Sequence, residues 1–230
     1  MEASFKTKNE AIYEMLREEI LQAKIKPGEK IVISDLSKKI GVSEIPIREA
    51  IKKLESEGFL AIMPHVGITV SKLDPDEIIE FYLIRIELES LAARLATPLI
   101  KEAEITSLQE INQELKSALQ RDDREMLYAL NKQFHFKIYA AANRPHLYKL
   151  IVDLWDKISW IRSVFFLAPH IALDSLREHG EIIEAIRKRD DELVGNLMKV
   201  QKRHSLRAIA DRFFPDLNLE KEVKKNLLMD

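Results

Sequence analysis

The sequence predicts a mainly α fold in two parts. A small N-terminal domain of three helices and a β-hairpin is followed by an antiparallel all-α bundle. Three observations lead there. Six glycines and eight prolines are few for 230 residues, a composition that favours long helices over a turn-rich sandwich or barrel. Residues 1–72 alternate short helical patterns with β-prone runs set around a Pro/Gly tip. From Pro75 onward apolar residues recur at helical spacing across short links, the pattern of a bundle.

Each element has its own signal. Ile12, Met15, Leu16, Ile20 and Leu21 form an apolar stripe over residues 8–23, and Pro27-Gly28 breaks the pattern, so a helix ends near Lys24. Ile31-Val32-Ile33 is a β-branched run that reads as a strand. Ser34 is placed to cap a helix from Leu36 to Ile40, which Gly41 stops. Ser43 caps the next helix, with Pro46 in its first turn, where a missing N–H does no harm, and Gly58 at its end. Two short helices meeting across a turn at Gly41 form a helix-turn-helix. Leu60 to Met63 and Ile68 to Val70 flank Pro64-His65-Val66-Gly67 as a hairpin. Together these elements make a winged helix-turn-helix over residues 1–72.

The bundle is read over residues 75–213, with helices at about 75–98, 103–120, 123–142, 146–167, 171–188 and 190–213. Breaks fall at Pro98, Asp122-Asp123, Asn143-Arg144-Pro145, Ala168-Pro169 and Arg189-Asp190. Lys72-Leu73-Asp74 is a short link, and residues 214–230 form a C-terminal tail that is either a last helix or disordered.

Composition removes whole classes of function. Without cysteines the chain has no thiol catalysis, zinc finger or disulfide. Its apolar stretches all fall short of the roughly 20 residues that span a bilayer, and Met1 to Lys6 has no signal-peptide core. The expectation is a cytoplasmic protein. A net charge of −2, with 12 Lys and Arg against 11 Asp and Glu in residues 1–72, does not announce nucleic acid. That argument rests on a motif.

The motif is Gly41-Val42-Ser43-Glu44-Ile45-Pro46-Ile47-Arg48-Glu49-Ala50-Ile51, continued by Leu54, Glu57, Gly58, Phe59 and Leu60. It resembles the DNA-binding domain of GntR-family regulators over about 45 residues, and Pro64 to Val70 looks like that family's wing. The resemblance implies double-stranded operator DNA as partner, contacted through Ser34, Ser43, Glu44, Ile45, Pro46, Arg48, Lys52, His65 and Gly67. Recognition-helix geometry points the same way. Arg48 suits a bidentate guanine contact, Ser43 and Lys52 suit phosphate, and His65 suits the minor groove. Position 44 is usually basic in the family and is Glu here, so an altered operator preference is expected.

Arg85-Ile-Glu-Leu-Glu89, Asn131-Lys-Gln-Phe134-His135-Phe-Lys-Ile138, Asn143 and His179 before Ile182-Ile183-Glu184-Ala185-Ile186 resemble the FCD effector domain over about residues 75–212. Many such domains hold a divalent metal through one Asp or Asn and three His, which implies Zn, Ni or Mn here. Asn131 and His135, four apart, share one helix face, and His179 comes from a later helix. Aligned on Asp190, Gln201 stands where the third family His lies, and His204 follows one turn later. The fourth ligand is therefore His204 or Gln201, or the site holds no metal. The resemblance also implies a carboxylate effector, for which Arg85, Tyr139, Ser159 and Arg162 are candidates. The alternative for Arg85 is a structural pair with Glu89. Trp155 reads as core, and His146 and His170 read as surface or capping residues.

The function expected is a homodimeric transcription regulator, a repressor whose operator affinity answers to that effector. It is not expected to be an enzyme. Two rivals stay open: a metal-dependent enzyme on the bundle, and a metal-ion sensor that keeps the DNA function.

Overall fold

Apolar side chains at helical spacing pull the first helix onto its neighbours. In the computed structural model, which describes residues 8–21, 24–64, 66–71, 74–157 and 169–227, α1 (Lys8–Leu21) buries Ile12, Tyr13, Leu16 and Ile20. They pack against Ile47, Ala50, Ile51 and Leu54 of α3 (Glu44–Ser56). The Tyr13 hydroxyl donates to Glu57 at 2.7 Å, and Lys53 Nζ lies 3.8 Å over the Tyr13 ring. That lysine is therefore spent on packing.

Between them lie β1 (Lys30–Ile31) and α2 (Ile33–Ile40). The strand expected at Ile31-Val32-Ile33 starts one residue earlier, ends two residues earlier and is only two residues long. On this edge β3 (Gly67–Val70) pairs with Lys30, opposite Thr69, and Ile31, opposite Ile68, and with no later residue of the run. Val32 is still extended but already caps α2, whose half-buried residues Ile33, Leu36 and Ile40 follow helical spacing. Ser34, expected as the cap, is exposed in the first turn. Gly41 closes α2 at φ +75°, where L side chains are strained, and its N–H donates to Ser37. β2 (Leu60–Met63) pairs antiparallel with β3 from Leu60 opposite Val70 to Met63 opposite Gly67, so the sheet order is β1-β3-β2.

The chain divides into two units, residues 1–73 and 74–230. The second contains α4 (Pro75–Ala96), α5 (Glu102–Gln120), α6 (Arg124–Ala141), α7 (Pro145–Lys157), α8 (Pro169–Arg187), α9 (Asp191–Phe213) and α10 (Leu219–Leu227). Asp74, Asp123 and Asp190 cap α4, α6 and α9 by accepting from backbone N–H groups of the first turn. The helix expected over 146–167 is α7 as far as Lys157, and residues 158–168 lie outside the described residues. The tail contributes α10, which packs on α4. α4 lies antiparallel to α9, joined by Arg94 to Glu192 at one end and Lys199 to Glu87 further along. α5, α6 and α8 close the core around Phe134, Ile138, Leu108 and Ile182. Among the described residues no helix is long and apolar enough to cross a membrane.

Leu54 is fully buried on α3, the helix that packs against both α1 and β2. Leu54→Ala should destabilise the N-terminal unit by about 2–5 kcal/mol, read by denaturant unfolding. An unchanged midpoint would contradict this packing.

Candidate nucleic-acid interface and buried polar site

The two candidate sites fall in different units. In the N-terminal unit, burial of Ile47, Ala50, Ile51 and Leu54 turns the opposite face of α3 outward. That face carries Ile45, 70% exposed, with Arg48 and Lys52, while Glu44 is half-exposed in the first turn. Ser43 is exposed and extended at the N-cap, without a side-chain cap bond. Arg48 Nη2 donates to Glu44 Oε2 at 2.7 Å. An acidic residue at a helix N-terminus is favoured by the helix dipole, and here it also holds the arginine one turn on. Gly67 stands at φ +100°, where an added Cβ would meet Lys30 Cε at 3.1 Å. His65 lies outside the described residues.

In the second unit one carboxylate gathers the polar core. Glu89 of α4 is fully buried. It accepts from Arg85 Nε at 2.6 Å, from Trp155 Nε1 at 2.9 Å and from the Tyr139 hydroxyl. Lys202 Nζ of α9 is 3.3 Å from its second oxygen. Burial works against the carboxylate, but Arg85, Lys202 and Tyr139 outweigh it and hold its pKa below the ordinary value. Burial lowers Lys202 to about 8, with Glu89 opposing the fall. Burial and then Glu89 push Tyr139 well up. Arg85 is thus the structural partner of Glu89, the alternative open in the sequence. Its guanidinium also lies against the rings of Trp155 and Tyr82, at 4.6 and 4.9 Å. Ser159 and Arg162 lie outside the described residues.

Asn131 and His135 project from α6 beside this network, and both are buried. His135 Nε2 faces His179 Nε2 across 3.4 Å. His179 Nδ1 donates to Asn112 Oδ1 at 3.3 Å, and the ring stacks on Phe134 at 3.7 Å. Burial, reinforced by Lys202, lowers His179 to about 3, and His135 also falls well below its ordinary range. Both imidazoles are neutral at pH 7. Gln201 is buried, and its Nε2, like Asn131 Oδ1, has no hydrogen-bond partner.

His204 does not join them. It lies about 200° round α9 from Lys202, mostly exposed, with Nδ1 2.7 Å from Glu178. Among the described residues no group of three His, Asp or Glu side chains is arranged to hold a metal ion. Sequence spacing passes over Lys202, although a signal was present. It sits at four-residue spacing between Val194, Met198 and Leu206, all buried, so a charge interrupts an apolar stripe.

Comparison with known proteins follows this division. The bacterial regulatory proteins of the gntR family match residues 8–70, and the FCD domain matches residues 80–201. The uncharacterized HTH-type transcriptional regulator YdhC of Bacillus subtilis is 34% identical over 182 residues, covering 78% of this chain and 81% of that protein. The HTH-type transcriptional repressor RspR of Escherichia coli is 29% identical over 192 residues, with 83% of each chain covered. The solved structure of Escherichia coli McbR/YncC superposes with a TM-score of 0.62 at 22% identity, covering 91% of this chain and all of that one.

Two outcomes follow from the buried network. Glu89→Gln leaves Arg85 and Lys202 as buried cations without their counter-ion and should destabilise the bundle by about 3–5 kcal/mol, measured by thermal or urea unfolding. A neutral effect would overturn the assignment of Glu89. The folded pKa of His179 lies below the ordinary 6.5, so the unfolded chain binds the extra proton. The associated stability is fully present above pH 6.5 and is lost as pH falls toward 3, about 3 kcal/mol of it by pH 4.5. Calorimetry from pH 7.5 to 4.5 should show a falling melting temperature, with a shallower fall in His179→Gln; parallel curves would contradict this.

Proposed function

The chain belongs to the GntR family of bacterial regulatory proteins and carries an FCD domain, and from that membership we propose a homodimeric repressor that reads a two-fold operator through α3 and releases it on binding a small carboxylate in the bundle. The observation that carries the DNA half is the outward face of α3, where Arg48, Lys52 and exposed Ile45 stand in the order a recognition helix requires. Arg48 reads guanine and Ile45 meets a thymine methyl, Ser43, Lys52 and Ser34 position the backbone with Gly67 of the wing, and His65 is assigned to the minor groove. Pro46 stiffens the first turn. The DNA-binding domain is assigned to residues 1–72 and the effector domain to 75–213.

A homodimer is supported by apolar side chains left exposed on the α4–α9 pair. Ile84 and Leu91 share one face of α4, and Leu193 and Val200 share one face of α9, each pair at seven-residue spacing. Two-fold protein on two-fold DNA is the usual solution for this head. The repressor sign is supported by the name of RspR. The carboxylate class is supported by the cations Arg85 and Lys202 on one buried carboxylate, an arrangement that leaves positive charge to share with an anion.

Gel shift on DNA upstream of the chain's own gene tests the reading. Arg48→Ala should weaken operator binding by about 1–3 kcal/mol, roughly 5- to 150-fold. Glu44→Arg should tighten binding to generic DNA and steepen its salt dependence. Absence of DNA binding by the wild type at low salt would overturn the reading. An unchanged salt slope in Glu44→Arg would remove Glu44 from the interface.

A further inference from the structure

The proton arrangement around His135 leaves a place that demands positive charge. His179 donates from Nδ1 to Asn112, so its Nε2 carries a lone pair. His135 Nδ1 lies 3.4 Å from the Tyr139 oxygen, whose own hydrogen goes to Glu89, so His135 Nδ1 donates and its Nε2 also carries a lone pair. These two lone pairs face one another across 3.4 Å and repel unless a cation or donor sits with them. Asn131 Oδ1, one turn before His135, is a further buried acceptor without a partner.

Neutral imidazoles are ordinary metal ligands, but the groups gathered here bring no free anion to offset a divalent ion beside a cation already in place. Asn131, His135, His179 and Gln201 are all neutral, and Glu89 already serves Arg85 and Lys202. Lys202 Nζ stands 3.3 Å from His135 Nε2 and 3.4 Å from Gln201 Oε1. A dication bound by His135 would lie within a few ångströms of that ammonium in a medium of low dielectric, where like charges repel strongly. The residue is 4% exposed and is also held near the Trp155 ring at 5.9 Å, so it is not a surface lysine that happens to fold inward.

We propose that Lys202 supplies the cation of this site from the chain itself, in place of a divalent metal, so that the effector domain folds and works metal-free. The use of the site rests on the effector-domain reading; its chemistry does not. Full-length protein, stripped with chelator and dialysed, is titrated calorimetrically with Zn, Ni and Mn salts, and metal content is measured on the protein as purified. Wild type and Lys202→Arg should bind none of the three, with melting temperature unchanged by chelator. Lys202→Met should bind at least one ion about tenfold or more tighter than wild type. Wild type purified with stoichiometric metal overturns the proposal, as does metal binding that is equal, or equally absent, in wild type and Lys202→Met. Should Lys202→Met fail to fold, the metal content of the wild type decides alone. A parallel gel shift keeps the two readings apart: DNA binding absent both before and after chelation would sink the regulator reading and leave this one standing, whereas binding present before chelation and lost after it would overturn this one.

Discussion

Glu89 is a fully buried carboxylate to which four other side chains are tied: Arg85 from its own helix, Tyr139 from α6, Trp155 from α7 and Lys202 from α9. A charge in such a place is tolerated only when its neighbours neutralise it and satisfy its lone pairs. The four helices must therefore stay in register with one another to within hydrogen-bond distance. Apolar packing around Phe134 and Ile138 brings them together, but it would accept small slips that this network does not. One ionised oxygen pair thus ties four helices to a common point.

The same network fixes the charge of the bundle interior. Arg85 and Lys202 both lean on Glu89, and the two imidazoles beside them are held neutral by burial and by Lys202. A bound anion would compete with Glu89 for its cations, and α4, on which Glu89 sits, is also the helix that follows the DNA-binding unit in the chain. A ligand moves such a system only by binding one arrangement more tightly than another.

How much of this the sequence discloses depends on range. Local chemistry is legible: Gly41 stops α2, Asp190 caps α9, and Arg85 with Glu89 four residues on announces their pair. Where local signals compete, pattern misleads. The β-branched run Ile31 to Ile33 reads as strand, yet only Ile31 of it pairs with β3 and the amphipathic spacing of Ile33, Leu36 and Ile40 takes the rest. Convergence across helices is the least legible. His204 resembles a ligand by spacing and turns out to α9's exposed side, whereas Lys202, two residues before it, turns in. Two residues on a helix are enough to exchange solvent for core.

Arg48 and Glu44 meet on the outward face of α3, the face proposed above to read DNA. A recognition helix that carries its own counter-ion displaces fewer counterions from any duplex it touches, and non-specific residence depends on that release. On that proposal such a head would leave wrong sequence quickly and linger only where base edges engage the arginine. In kinetic terms the pair would then shorten each halt during the search along a chromosome, trading grip on random DNA for speed in reaching the right site.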